Sequence, residues 1–184
     1  IFSETAIEQD QIVQGNFVER VEINTRKNAS EGKVYGAELQ YNSQLTMLPA
    51  PWSSFGINTN ATFSDSEIEI PTREDDPALG GQADMILNII PYYQEGPVSV
   101  RVAYNYIDEF RSSTGGVRAG DEIRESRFQL DLHGSYAFTN RLSGFVEVRN
   151  FTEEEIEDTH VGSGRLTRFE SIPRSLWVGL RGEF

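Results

Sequence analysis

The sequence predicts an all-β chain: an antiparallel transmembrane β-barrel to which these 184 residues contribute about eight strands. Three observations carry that expectation. Apolar and polar residues alternate with a period of two along most of the chain, which suits strands and fits no helical template. The last sixteen residues, Phe169 to Phe184, keep an amphipathic pattern up to a terminal aromatic, where soluble chains are usually polar and loose. The connections alternate between short turns and long polar loops, the plan of a membrane barrel with its long loops outside.

Strands are expected near 16–28, 34–48, 54–70, 83–94, 98–111, 126–139, 143–157 and 169–184, and the first fifteen residues are ambiguous, with room for part of another. In 54–70, Phe55, Ile57, Thr59, Ala61 and Phe63 share one face against Gly56, Asn58, Asn60 and Thr62. In 98–111, Val98, Val100, Val102, Tyr104 and Tyr106 oppose Ser99, Arg101, Ala103 and Asn105. In 126–139, Phe128, Leu130, Leu132, Gly134, Tyr136 and Phe138 oppose Gln129, Asp131, His133, Ser135 and Ala137. The closing strand sets Leu176, Val178, Leu180 and Gly182 against Trp177, Gly179, Arg181 and Glu183. Such strands exceed the five or six residues usual in soluble sheets and match a tilted span with an overhang.

Short links are expected at Pro49–Ser53, Glu95–Pro97 and Asn140–Leu142, and long polar ones at Pro71–Gln82, Ser112–Glu125 and Glu157–Arg168. With the C-terminus on the periplasmic side, every short link falls there and every long loop falls outside. The link near Asn28–Lys33 also falls outside, although it is short. Aromatics gather near strand ends: Trp52 and Phe55, Tyr92 and Tyr93, and Tyr104, Tyr106 and Phe110. Interface girdles have this distribution, and so does ordinary sheet packing.

Composition narrows the function classes. At 38% hydrophobic and a mean hydropathy of -0.45, the chain has no run near the ~20 apolar residues of a spanning helix. The longest apolar stretch, Met85–Tyr93, is broken by Asn88 and Pro91. A net charge of -13 argues against nucleic acid, whose phosphates need a basic face. With no Cys there is no disulfide or thiolate metal site, and the redox compartment stays open. The start at Ile1-Phe2 without Met leads us to expect a processed or excised piece whose export signal, if any, lies upstream.

No catalytic constellation and no cofactor or metal motif emerges. His133 lies on a polar face two residues from Asp131, and His160 follows the acidic run Glu153–Asp158. A cation at His160, or at Glu74-Asp75-Asp76, is conceivable on composition, but the spacing is not that of a calcium loop. A solvated loop is the plainer reading of both. Gly115-Gly116 and Gly162-Ser163-Gly164 do not join a strand to a helix, so they fail the context of a phosphate-cradling loop. If the apolar faces meet lipid, then Asn58, Asn60, Thr62, Arg101, Asn105, Gln129, Asp131, His133, Glu147, Arg149, Arg181 and Glu183 line a polar interior.

Several strings carry a family resemblance. Gly36-Ala37-Glu38-Leu39, the Asn88…Tyr92-Tyr93 strand, Arg101-Val102-Ala103-Tyr104-Asn105-Tyr106, Leu130-Asp131-Leu132 with Ser135-Tyr136, Val146 through Glu154 with its Asn150-Phe151-Thr152, and the closing Gly179-Leu180-Arg181-Gly182-Glu183-Phe184 occur in order. Together they resemble the C-terminal part of the barrel of TonB-dependent outer-membrane receptors, with Phe151 where that family usually has Leu. The likeness is good over 34–184 and loose over 1–33, so the whole of 1–184 is expected to be one part of such a barrel.

The resemblance implies a barrel of about 22 strands enclosing a plug. It implies TonB-energised import of a scarce nutrient such as a ferric siderophore, cobalamin or a glycan, and no enzyme activity. The implied partners are outer-membrane lipid and lipopolysaccharide, the barrel-assembly machinery, the remaining strands and plug, and TonB through an N-terminal region absent here. The location implied is the outer membrane of a Gram-negative bacterium. Leu176, Val178, Leu180 and Phe184 match the C-terminal assembly signal. Arg111, Arg118, Arg124, Arg127, Arg165 and Arg168, in or beside the long loops, are the expected contacts for an anionic ligand, although loop solubility also accounts for them. Two rivals stand beside this reading. One is a self-contained eight-stranded outer-membrane barrel, an adhesin or anchor. The other is a soluble eight-stranded ligand-binding barrel with its apolar faces turned inward.

Overall fold

The structure, a computed structural model, describes residues 2–7, 12–13, 16–17 and 22–183, with side chains from residue 28 onward. Its strands are β1 (Phe2–Ile7), β2 (Ile12–Val13), β3 (Asn16–Phe17), β4 (Glu22–Lys27), β5 (Glu31–Gln44), β6 (Phe55–Glu69), β7 (Met85–Glu95), β8 (Val98–Ile107), β9 (Phe110–Ser113), β10 (Glu122–Arg124), β11 (Arg127–Thr139), β12 (Leu142–Arg149), β13 (Glu155–His160), β14 (Arg165–Ser171) and β15 (Ser175–Gly182). Two single 3-10 turns, Trp52–Ser54 and Arg118–Gly120, are the helical structure among the described residues. The chain is all-β and every pairing is antiparallel.

Seven strands form the main sheet, in the order β15-β12-β11-β8-β7-β6-β5. Its register keeps the alternation of neighbouring strands in phase. Phe55 pairs with Tyr93, Tyr93 with Val100, Val100 with Gly134, Gly134 with Val146, and Val146 with Val178. One face is therefore apolar from strand to strand. On the other face Gln40, Asn60, Asn88, Asn105 and Gln129 stand in one row across five neighbouring strands. A shift of one residue in any strand would turn its apolar set to the polar side, so the pattern fixes the register.

The apolar face is uncovered within the described residues. Leu176, Val178 and Leu180 are 66%, 72% and 72% exposed. The buried apolar residues, Ile68, Ile70, Ala83 and Ile156, all lie toward the long-loop end. The band also has edges. Outward of the Ala37–Phe63 pair come Tyr35–Asp65 and Lys33–Glu67, joined by a hydrogen bond of 2.9 Å and an ion pair of 3.3 Å. At the short-turn end Trp52 stacks on Phe55 at 5.7 Å, Phe55 meets Tyr93 at 4.7 Å, and Tyr136 meets Phe138 at 5.4 Å.

The structure corrects several boundaries. The strand expected over 16–28 is present as β3 and β4, with 18–21 outside the described residues, and the ambiguous first fifteen hold β1 and β2. The strand expected over 143–157 is two, because Asn150 and Glu153 take positive φ values of 51° and 54°, which extended backbone does not allow. The strand expected over 169–184 is also two, split at 172–174 where Pro173 has no N–H to give the ladder. The links Ser112–Glu125 and Glu157–Arg168 are not plain loops, since they carry β10 and most of the β13–β14 hairpin. Pro91 lies in a central strand, and the β7–β8 ladder lapses beside it, resuming at Tyr92–Arg101.

Candidate functional site at the loop end

The second sheet, β14-β13-β10-β9, repeats the order of β15-β12-β11-β8 in the main sheet. Each of these four wall strands thus has an outer continuation beyond a break. Asn150 fixes one break. Its backbone N–H donates to Asp131 Oδ1 at 2.8 Å and its side-chain amide donates to the Ile172 carbonyl at 2.6 Å. Its Oδ1 accepts from Glu154 N at 3.0 Å. One buried carboxamide therefore ties the β12–β13 corner to the β14–β15 corner.

The 71–82 segment folds back along the outer end of β6. Ile68 N donates to the Pro77 carbonyl at 2.9 Å, and Leu79 N donates to Ser66 Oγ at 2.9 Å. From there it reaches the second sheet through charge. The Asp121 carboxylate is 0% exposed and accepts from Arg73 Nη1 at 2.7 Å, Arg111 Nε at 3.0 Å and Gly115 N at 2.9 Å. Arg73, 1% exposed, turns its other edge to Asp75 in a fork of 2.6 and 2.8 Å. Two guanidinium groups and two carboxylates balance within this cluster, as buried charges require. Arg73's hydrogen bonds and charge lower the Asp75 carboxyl to about 2. A lowered carboxyl contributes its stability above the ordinary value of 3.8 and loses it as pH falls toward 2. A second fork joins Arg124 to Asp158 at 2.7 and 3.0 Å, with the guanidinium 5.4 Å over the Phe110 ring. The Arg124 hydrogen bonds hold the Asp158 carboxyl below its usual range.

These pairings sort the arginines singled out in the sequence. Arg111 and Arg124 are engaged by Asp121 and Asp158, and Arg168 meets Glu170 at 2.5 Å. Arg118, Arg127 and Arg165 make no ion pair among the described residues. Arg118 sits in the 3-10 turn and Arg165 opens β14. Arg127 lines a small cavity of about 60 Å³ on the polar side with Asn105, Gln129 and Glu154. The loops bearing Arg118 and Arg165 touch, since Gly162 N donates to the Ala119 carbonyl at 3.0 Å. His160 accepts from Ser163 N at 3.2 Å through Nδ1, and no group of three or more His, Asp or Glu among the described residues is placed to hold a metal. Asp75 is taken by Arg73, and Asp76 lines a cavity of about 330 Å³ with Glu31, Glu67 and Glu69.

On the polar wall, Asn60 and Asn88 bond at 2.6 Å, beside a groove of about 140 Å³ shared by Gln40, Asn42 and Asn58. Leu176, Val178 and Leu180 stand on the apolar face of β15, and Phe184 lies outside the described residues. Sequence reasoning passed over Arg73 and Asp121, the centre of this end. It met Asn150 only inside a string of family resemblance.

No protein-family model matches the sequence, and no curated protein matches it. Among solved structures, the chain is similar to the ferripyoverdine receptor of the outer membrane of Pseudomonas aeruginosa, crystallised with ferripyoverdine bound. The two share 16% identity at a TM-score of 0.58, over 90% of this chain and 20% of the receptor's. The fold is thus that of an antiparallel sheet like one part of an outer-membrane receptor.

Proposed function

We propose that this chain is the C-terminal part of a TonB-dependent receptor barrel in the outer membrane of a Gram-negative bacterium. It takes part in energised import of a scarce nutrient and makes or breaks no covalent bond. The observation that carries the reading is the main sheet, whose register keeps one face apolar from strand to strand and the other polar; on this reading the first meets lipid and the second a lumen. The likeness to a receptor fold over most of the chain supports it. Phe55 through Phe63 is the length of ~9–11 residues that a tilted strand needs to cross the hydrocarbon. The apolar side of β15, with Phe184, suits the signal read by the barrel-assembly machinery. Arg118, Arg127 and Arg165, which make no ion pair among the described residues, are the candidates for contact with an anionic ligand such as a ferric siderophore.

The test is uptake in the native host. Cells with and without the gene are given radio-iron on a panel of siderophores, ferripyoverdine among them, then labelled cobalamin and oligosaccharides. The expected result is loss of uptake of one compound on deletion, and equal loss when TonB is inactivated. Uptake of every compound unchanged by deletion would favour an adhesin or anchor.

A further inference from the structure

We propose that the segments 71–82, 112–121 and 158–165 form one rigid platform keyed by Asp121, and do not open separately. Asp121 serves all three. Its carboxylate binds Arg73 of the first and Gly115 of the second, and its backbone carbonyl accepts Val161 N of the third at 2.9 Å. Arg111, at the root of the second, completes the cluster and also donates to the Ala78 carbonyl of the first at 3.2 Å.

Other bonds cross the same seams at separate points. Thr72 Oγ1 donates to the Gly116 carbonyl at 2.7 Å, and Gly81 N donates to the Arg111 carbonyl at 2.7 Å. Arg124, in β10 just beyond the second segment, holds Asp158 at the start of the third. The third segment also lies against the second, since a Cβ on Gly162 would overlap Ala119, and the second is tightly folded on itself, since a Cβ on Gly115 would overlap Gly120. Moving the first segment away takes Arg73 from the buried Asp121 carboxylate, and moving the third takes Asp158 from Arg124, so either movement strands a charge away from water. The plainer alternative is a set of local staples, with each segment moving on its own. With the platform rigid, any gate belongs to other parts of the protein, and these segments offer a preformed rim.

Amide hydrogen exchange on the full-length protein in detergent micelles tests this without reference to cargo. Peptides from the three segments are expected to exchange at one common rate. Asp121→Asn is expected to speed all three roughly tenfold or more, leaving the Phe55–Phe63 part of β6 and β11 unchanged. Three distinct rates in the native protein, or acceleration confined to 112–121, would overturn the proposal. Should Asp121→Asn fail to fold, a second arm decides. This chain has no Cys, so Thr72→Cys with Gly116→Cys is a unique pair within it, closed by a short bismaleimide. Exchange rates within about twofold of the open form support the platform. Marked slowing on closure means the segments had been parting, and the proposal fails.

Discussion

At the residue scale, the chain spends its buried polar groups at corners. Asn150 combines a backbone that few non-glycine residues adopt with an amide that bonds across two strand breaks. Asn tolerates that left-handed conformation better than most residues. Asn150→Ala should therefore cost roughly 1–3 kcal/mol for the stranded Ile172 carbonyl and its neighbours, with backbone strain in addition. Asn150→Asp keeps the acceptor to Glu154 N but sets an unpaired carboxylate against the Ile172 carbonyl, so it should cost at least as much as the alanine. Urea unfolding of the full-length protein in lipid vesicles reads both. If Asn150→Ala unfolds at the native midpoint, the corner does not depend on this amide. Arg73 and Asp121 follow the same logic with charge: each is tolerable when buried because the other is there.

At the element scale, each wall strand has two different solvents in prospect. Leu132 lies in the apolar set beside Val102 and Val148, and Gln129 lies in the polar row beside Asn105. On the proposed reading, Leu132→Arg places a charge in hydrocarbon and should cost about 2–4 kcal/mol near the bilayer midplane. Gln129→Arg should be nearly neutral, since it faces water. The yield of folded barrel after assembly in lipid vesicles separates them. Equal yields would reject the assignment of faces. Glycines serve the same elements differently. A Cβ on Gly56 would overlap the Tyr92 ring, and one on Gly179 would overlap Phe145, so aromatic rings lie across bare backbone on the polar side.

At the scale of the whole molecule, the main sheet has two outer strands, β5 and β15. A long strand with an open edge invites pairing with another chain, and full closure is what removes such edges. On the proposed reading, the polypeptide carrying this sequence, taken from a detergent-extracted outer-membrane fraction and denatured, should have a mass several-fold above 20.7 kDa. Mass spectrometry of that fraction decides it. A mass near 20.7 kDa would transfer support to a small self-contained barrel and away from import.

The sequence by itself determined the strand class, the faces and the positions of the main wall strands. These follow from alternation within ten or so residues, and Val178 and Leu180 are legible without knowing their neighbours. It also placed the short and long connections, because turn residues act locally. The tertiary structure decided what the long connections do. Arg73 meets Asp121 across 48 positions, and in a loop rich in acids and arginines no local pattern says which pair will be buried together. The same holds for Arg111 and Arg124, which read as free cations until the outer sheet forms and brings carboxylates to them. The strand expected over 143–157 runs through Asn150, but the break there depends on a carbonyl 22 residues away. Periodicity is a property of neighbours along the chain. Charge pairing and corners are set by neighbours in space.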